Sequence, residues 1–179
     1  DAKMVFDLDS IGLIGAASSL MRGKDMGNNS LQESPKFYIG AVVNPAASEL
    51  ADEIIRMEDK IEAGARFFQT QAIFDPTQLE EFMAIVRHTG VPILAGIIIL
   101  KSGNMARNLN LRLPGVHVPD AIIDEMDNAG DKASKGIEIA GRIIRDVMGL
   151  CSGIHVMAIG WERRIPRVLK AAGVLSSER

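Results

Sequence analysis

Lys60-Ile-Glu-Ala-Gly-Ala-Arg-Phe-Phe-Gln-Thr-Gln-Ala-Ile-Phe-Asp75 is the stretch whose reading decides the fold. Leu50, Ile54, Met57 and Ile61 lead into it at intervals of four, three and four, which puts them on one face of a helix with a period of about 3.6 residues. Gly64 is the stop signal of that helix, and Phe67 and Phe68 open a short apolar run suited to a buried parallel strand. Thr70 and Gln71 fall where the strand would emerge. On periodicity alone two readings stand side by side: a polar strand end meeting solvent, or polar side chains presented to a ligand at the end of a strand.

The alternation of helix and strand extends in both directions. Candidate strands lie near Phe37–Val43, Phe67–Gln71, Pro92–Ile98 and Gly153–Ile159. Asp9 or Ser10 can cap a helix carrying Ile11, Ile14, Ala17 and Met21 that ends near Gly23, and residues 27–35 read as a polar, turn-rich loop. Asp75 or Thr77 opens a helix with Leu79, Phe82, Met83 and Val86 on one face, closed by Gly90. After the third strand the pattern predicts a short helix around Met105–Leu109, a helix started by Pro119 and running to Met126, and a long helix through Ile137, Ala140, Ile144 and Val147. The final unit ends in a helix carrying Ile165, Val168 and Leu169. Strands alternating with helices make an α/β class with a parallel sheet, and strands that lack apolar–polar alternation predict burial on both faces. No composition break or low-complexity tract divides the chain.

Composition narrows the function. Hydrophobic residues are 47% of the chain, charged residues 24%, and the formal net charge is −3, which fits an ordered globular domain. The charges are interspersed, with Glu162-Arg163-Arg164 the densest group, and aromatics are only 4%, so neither a basic patch nor stacking platforms invite nucleic acid. The longest apolar run, around Val91 to Leu100, is far short of a bilayer-spanning helix, and cytoplasm is the expected compartment. Cys151 is alone and reads as a small buried hydrophobe. No metal-ligand spacing and no Walker or Rossmann phosphate loop is present. None of the histidines earns a catalytic role: His88 sits at a helix end and His117 in a turn, both expected at the surface, while His155 lies inside the last strand and reads as a core residue in preference to one facing a ligand.

Lys60-Ile-Glu-Ala-Gly-Ala65, followed by Thr70-Gln71 and Phe74-Asp75, resembles the methylenetetrahydrofolate reductase family, whose fold is a flavin-dependent (β/α)8 TIM barrel. Further segments agree in order and spacing: Val5-Phe-Asp-Leu-Asp-Ser10, Gly40-Ala-Val-Val-Asn-Pro45, Pro92-Ile-Leu-Ala-Gly-Ile-Ile98 leading to Leu100-Lys-Ser102, Pro114-Gly-Val-His-Val-Pro119, Gly136-Ile-Glu-Ile-Ala140, Gly153-Ile-His-Val-Met-Ala-Ile-Gly-Trp161 and Ala171-Ala-Gly173. Each is common by itself, and their succession is what is specific. The resemblance implies reduction of 5,10-methylenetetrahydrofolate to 5-methyltetrahydrofolate in one-carbon metabolism and methionine biosynthesis, with FAD relaying a hydride from NADH or NADPH.

It also implies roles for particular residues. Gln71, with Thr70, matches the position that hydrogen-bonds the folate pterin, which suits an amide because it offers a donor and an acceptor side by side. Leu109 matches a position that packs against the folate, and Ile159 is its counterpart on the last strand, although both also read as plain core. Phe6, Asp7, Asn44, Glu53, Arg56 and Lys60 match flavin contacts, a lysine near a pyrophosphate supplying compact positive charge. Another member of the family has histidine at Asn44, some relatives carry arginine at Asp59, and some carry tyrosine at Gly40. The family's catalytic acid matches nothing in this chain and is expected upstream of Asp1.

A full barrel takes roughly 250 residues, so residues 1–179 read as the C-terminal half of a single barrel domain, supplying about its last four strands and their helices. Half a barrel leaves two edge strands and an apolar inner face, so a missing N-terminal half, a homo-oligomer or pairing with another chain is expected, and an iron–sulfur partner subunit could replace a free nicotinamide as electron donor. Two rival readings are a flavin-free folate-binding barrel serving methyl transfer and a non-catalytic half-barrel assembly partner.

Overall fold

In the computed structural model, which describes residues 7–175, four parallel strands run side by side in chain order, β1 (Gly40–Val43), β2 (Phe67–Ala72), β3 (Ile93–Ile98) and β4 (Gly153–Met157). The helices are α1 (Ser10–Met21), α2 (Leu50–Ala63), α3 (Pro76–Val86), α4 (Gly103–Arg112), α5 (Asp120–Asn128), α6 (Lys132–Val147) and α7 (Ile165–Ala171). The α/β class, the parallel sheet and the three helices between β3 and β4 are as the sequence predicts. Asp9 caps α1 by accepting from Gly12 N at 2.8 Å, and Asp75 caps α3 by accepting from Thr77 N at 2.9 Å, with Pro76 in the first turn.

Several bounds differ from expectation. β1 begins at Gly40, not Phe37, because Phe37 and Tyr38 lie outside the pairing. Tyr38 instead stacks on Phe67, with centroids 5.5 Å apart and planes 9° from parallel. β4 stops at Met157, two residues early, and α4 is twice the length predicted from its apolar positions because Ser102 caps it by accepting from Met105 N at 3.1 Å.

Burial on both faces holds for β3 apart from Leu94 and fails for β2. Phe68, Thr70 and Ala72 are buried toward the helices, whereas Phe67, Gln69 and Gln71 on the other face are only half-buried. The helices cover one face; nothing among the described residues covers the other as fully. Cys151 is half-buried, its single S–H within reach of the Val147 and Gly153 carbonyls, and is not the small buried hydrophobe expected. His88 and His117 are exposed, as expected, and His155 is half-buried on the edge strand, not in the core. Among the described residues no helix is long and apolar enough to cross a membrane.

Candidate functional site

The site grows from the β1–α2 connection. Asn44 follows β1, and its backbone N–H donates to Glu53 Oε1 at 2.9 Å, so the first turn of α2 reaches back and fixes the loop. Asn44 Oδ1 accepts from Ala46 N at 3.1 Å, which closes the loop on itself. Glu53, Arg56 and Lys60 are spaced three and four apart, so they form a polar stripe beside the apolar stripe Leu50, Ile54, Met57 and Ile61. Lys60 is 7% exposed and donates to the Val42 carbonyl at 2.8 Å. Burial pushes its ammonium below the usual lysine range; Glu53 opposes that shift and Arg56 adds to it.

Gln71 reaches the same place from β2 through a bulge. The register slips between Gln69 and Ala72, and Thr70 Oγ1 staples the slip by accepting from Gly96 N at 2.9 Å and donating to the Gln71 carbonyl at 2.6 Å. A bulge re-aims the side chain beside it, and here that side chain is Gln71. Among the described residues the Gln71 carboxamide has no hydrogen-bond partner, and it lines a cleft of about 440 Å³ together with Asn44, Glu53, Arg56 and Lys60. Ser10, Leu13 and Ile14 of α1 line it as well, a part for α1 that no motif in the sequence announced, and the cleft runs along Gly40–Val42 of the edge strand β1. A second cleft of similar size is lined only by α6 and α7 and includes no strand end.

Comparison with known proteins gives the arrangement a lineage. The family described as methylenetetrahydrofolate reductase matches residues 34–173, most of the chain and all four strands. The chain belongs to the methylenetetrahydrofolate reductase family. It is similar to methylenetetrahydrofolate reductase 2 of Schizosaccharomyces pombe, 26% identical over an alignment of 156 residues, with 79% of this chain and 24% of that protein covered. It is likewise similar to a probable methylenetetrahydrofolate reductase (NADPH) of Caenorhabditis elegans, 26% identical over 145 residues, 75% of this chain and 21% of that protein. The chain thus spans about a quarter or less of the length of these relatives.

The remaining residues that the family resemblance singled out are not gathered in this cleft. Thr70 is 4% exposed with its hydroxyl engaged twice, so it positions Gln71 and does not itself face the cleft. Leu109 is buried on α4. Asp7 is exposed ahead of α1, and Phe6 lies outside the described residues. A β-carbon on Gly40 would overlap the end of the Phe67 ring, so a larger residue there requires that ring to move.

Ile159 lies beyond β4 and is 51% exposed, contrary to the reading as core. Its φ of 49° is in the left-handed region, costly for a β-branched residue, and its carbonyl accepts from Lys101 Nζ. Ile159→Gly removes about 1–2 kcal/mol of backbone strain at little loss of burial, against a loss of roughly 0.5–1 kcal/mol from the greater freedom of glycine in the unfolded chain. The thermal midpoint of the complete protein is expected to rise by about 1–3 °C. A fall on thermal scanning would mean that the exposed Ile159 side chain carries packing in the complete protein.

Proposed function

We propose that the complete protein is a flavin-dependent reductase converting 5,10-methylenetetrahydrofolate to 5-methyltetrahydrofolate, with this chain forming one wall of the flavin and folate sites. The observation that carries the proposal is the convergence, in one cleft, of Gln71 with Asn44, Glu53, Arg56 and Lys60, residues from two strand ends and a helix face that the family resemblance assigns to substrate and cofactor. The four parallel strands in sequential order, with both edges open, suit half of an eight-stranded barrel, whose sites lie at the C-terminal strand ends.

The residues fit the cofactor's charge. Lys60 is a buried ammonium whose charged form is disfavoured where it stands, and Arg56 beside it deepens the deficit of negative charge. A pyrophosphate brought into the cleft would supply that charge, with Lys60 and Arg56 holding it and Asn44 kept in place by Glu53. Bound flavin would supply the two-electron relay between a nicotinamide, NADH or NADPH, and the folate. Gln71 would hold the pterin through its unpartnered amide, offering a donor and an acceptor in one plane. Hydride delivery to the methylene carbon must be matched by a proton on the nitrogen it leaves. Glu53, the carboxylate lining the described cleft, accepts the Asn44 N–H and serves the loop, and the family resemblance assigns the acid to no residue of this chain.

The test uses the complete encoded protein. It is expected to purify yellow, to be bleached anaerobically by NADH or NADPH, and to regain colour when 5,10-methylenetetrahydrofolate is added. Failure to hold flavin after reconstitution would overturn the reductase reading in favour of a flavin-free folate barrel or an assembly partner. A flavin that reduces but is not reoxidised by the folate would overturn the substrate.

A further inference from the structure

We infer that Asn44 and Gly115 form a latch that seats helix α4 across the strand ends and thereby sets the position of Leu109, a specificity-determining arrangement that rests on the folate reading above. Leu113–Val116 is a tight turn, with Val116 N donating to the Leu113 carbonyl at 3.2 Å. Pro114 occupies its second position and Gly115, at φ 77°, its third, the pattern of a type II turn, which requires a left-handed residue there.

The tip of this turn lies on the Asn44 carboxamide. A β-carbon built on Gly115 would overlap Asn44 Nδ2 and come within 2.8 Å of Cγ and 3.3 Å of Oδ1. The amide cannot easily give way, because Oδ1 is held by Ala46 N and the Asn44 backbone by Glu53. The turn cannot give way independently of α4 either. Asn110 on α4 accepts from Val118 N at 2.7 Å and donates to the Val118 carbonyl at 3.0 Å, tying both sides of the turn into one body. Arg107 of the same helix pairs with Asp127 of α5.

The reach of this body explains its use. α4 follows β3, whereas Asn44 follows β1, so contact between Gly115 and Asn44 requires the α4 unit to bridge the end of β2, which lies between those strands and carries Gln71. Leu109 sits within the bridge, buried on α4. A change of fit at Asn44 therefore tilts the element that would close over a ligand held by Gln71, and misplacement of about 1 Å in such elements is enough to alter turnover greatly.

The experiment compares Gly115→Ala with Gly90→Ala in the complete protein. Gly90 has φ 65° but no atom within 4 Å of a built β-carbon, so its substitution reports backbone strain without a clash. Gly115→Ala is expected to raise the KM for 5,10-methylenetetrahydrofolate about tenfold or more, with flavin content read beside it because the displaced Asn44 also lines the cofactor cleft, and Gly90→Ala should leave that KM alone. Adding Asn44→Gly to Gly115→Ala makes room for the methyl group, so the double variant should recover thermal stability relative to Gly115→Ala; if Gly115→Ala alone does not fold, recovery of folding in the double variant is the expected result. An unchanged KM in Gly115→Ala, an equal effect of Gly90→Ala, or no recovery in the double variant overturns the latch. Should the wild-type protein bind no folate, the functional reading fails instead, and the coupling between positions 44 and 115 in thermal stability still decides the latch.

Discussion

Residues 1–179 produced on their own are expected to dimerise or aggregate and not to persist as a monomer. β1 and β4 are the outer strands of the sheet, each paired on one side, so each presents a row of unpaired backbone groups to another chain. The sheet face away from the helices adds apolar surface: Val42 is 51% exposed, and Tyr38, 72% exposed, stacks on the half-buried Phe67 of that face. Barrel closure would remove both edges and bury that face at one stroke. Size-exclusion chromatography with light scattering reads the outcome directly. A cooperatively unfolding monomer would mean that the edges are protected by some means other than closure, and would remove one support for the barrel reading. The complete protein, by contrast, should unfold cooperatively with its sheet edges engaged.

Much of this architecture was legible because local signals and tertiary packing agree. The stripe Leu50, Ile54, Met57 and Ile61 forms a helix ending at Ala63, just before Gly64, and the caps Asp9 and Asp75 stand where side-chain chemistry placed them. Where expectation missed, contacts that sequence spacing does not encode had decided the matter. Apolar Phe37 and Tyr38 read as strand, yet the Tyr38–Phe67 stack takes them out of pairing. The uninterrupted apolar character of the strands promised two covered faces, which the inner strand β3 has apart from Leu94 and which β2, with helices over one face only, does not.

The site divides in the same way. The resemblance to reductases singled out Glu53, Arg56 and Lys60 as it did Gln71, and the structure puts the first three on one stripe of α2. That Thr70 would serve as a staple and not face the cleft depends on a one-residue slip of register against β3, which no periodicity of β2 alone reveals. The contact of Gly115 with Asn44 was equally hidden: a Pro-Gly turn announces its own geometry but not the side chain it will meet.

Replacement of Gln71 by alanine in the complete protein is expected to weaken 5,10-methylenetetrahydrofolate binding by about tenfold or more, the consequence of leaving a buried polar partner on the ligand unsatisfied at roughly 1–3 kcal/mol. The folded chain has little to lose from the change. Among the described residues the Gln71 carboxamide bonds to nothing, and it is half-buried, so the stability cost should be within about 0.5 kcal/mol and a loss of affinity cannot be laid to unfolding. Gln69 provides the control. It lies two residues earlier on the same strand and is also half-buried, but it does not line the cleft and pairs with Leu94 below the bulge. Gln69→Ala should leave folate affinity unchanged, and both variants should keep the wild-type rate of flavin reduction by nicotinamide. If Gln71→Ala retained full folate affinity, or if the two substitutions weakened it equally, the amide at the bulge would not be the pterin contact, and the strand end would have to be read as polar surface after all.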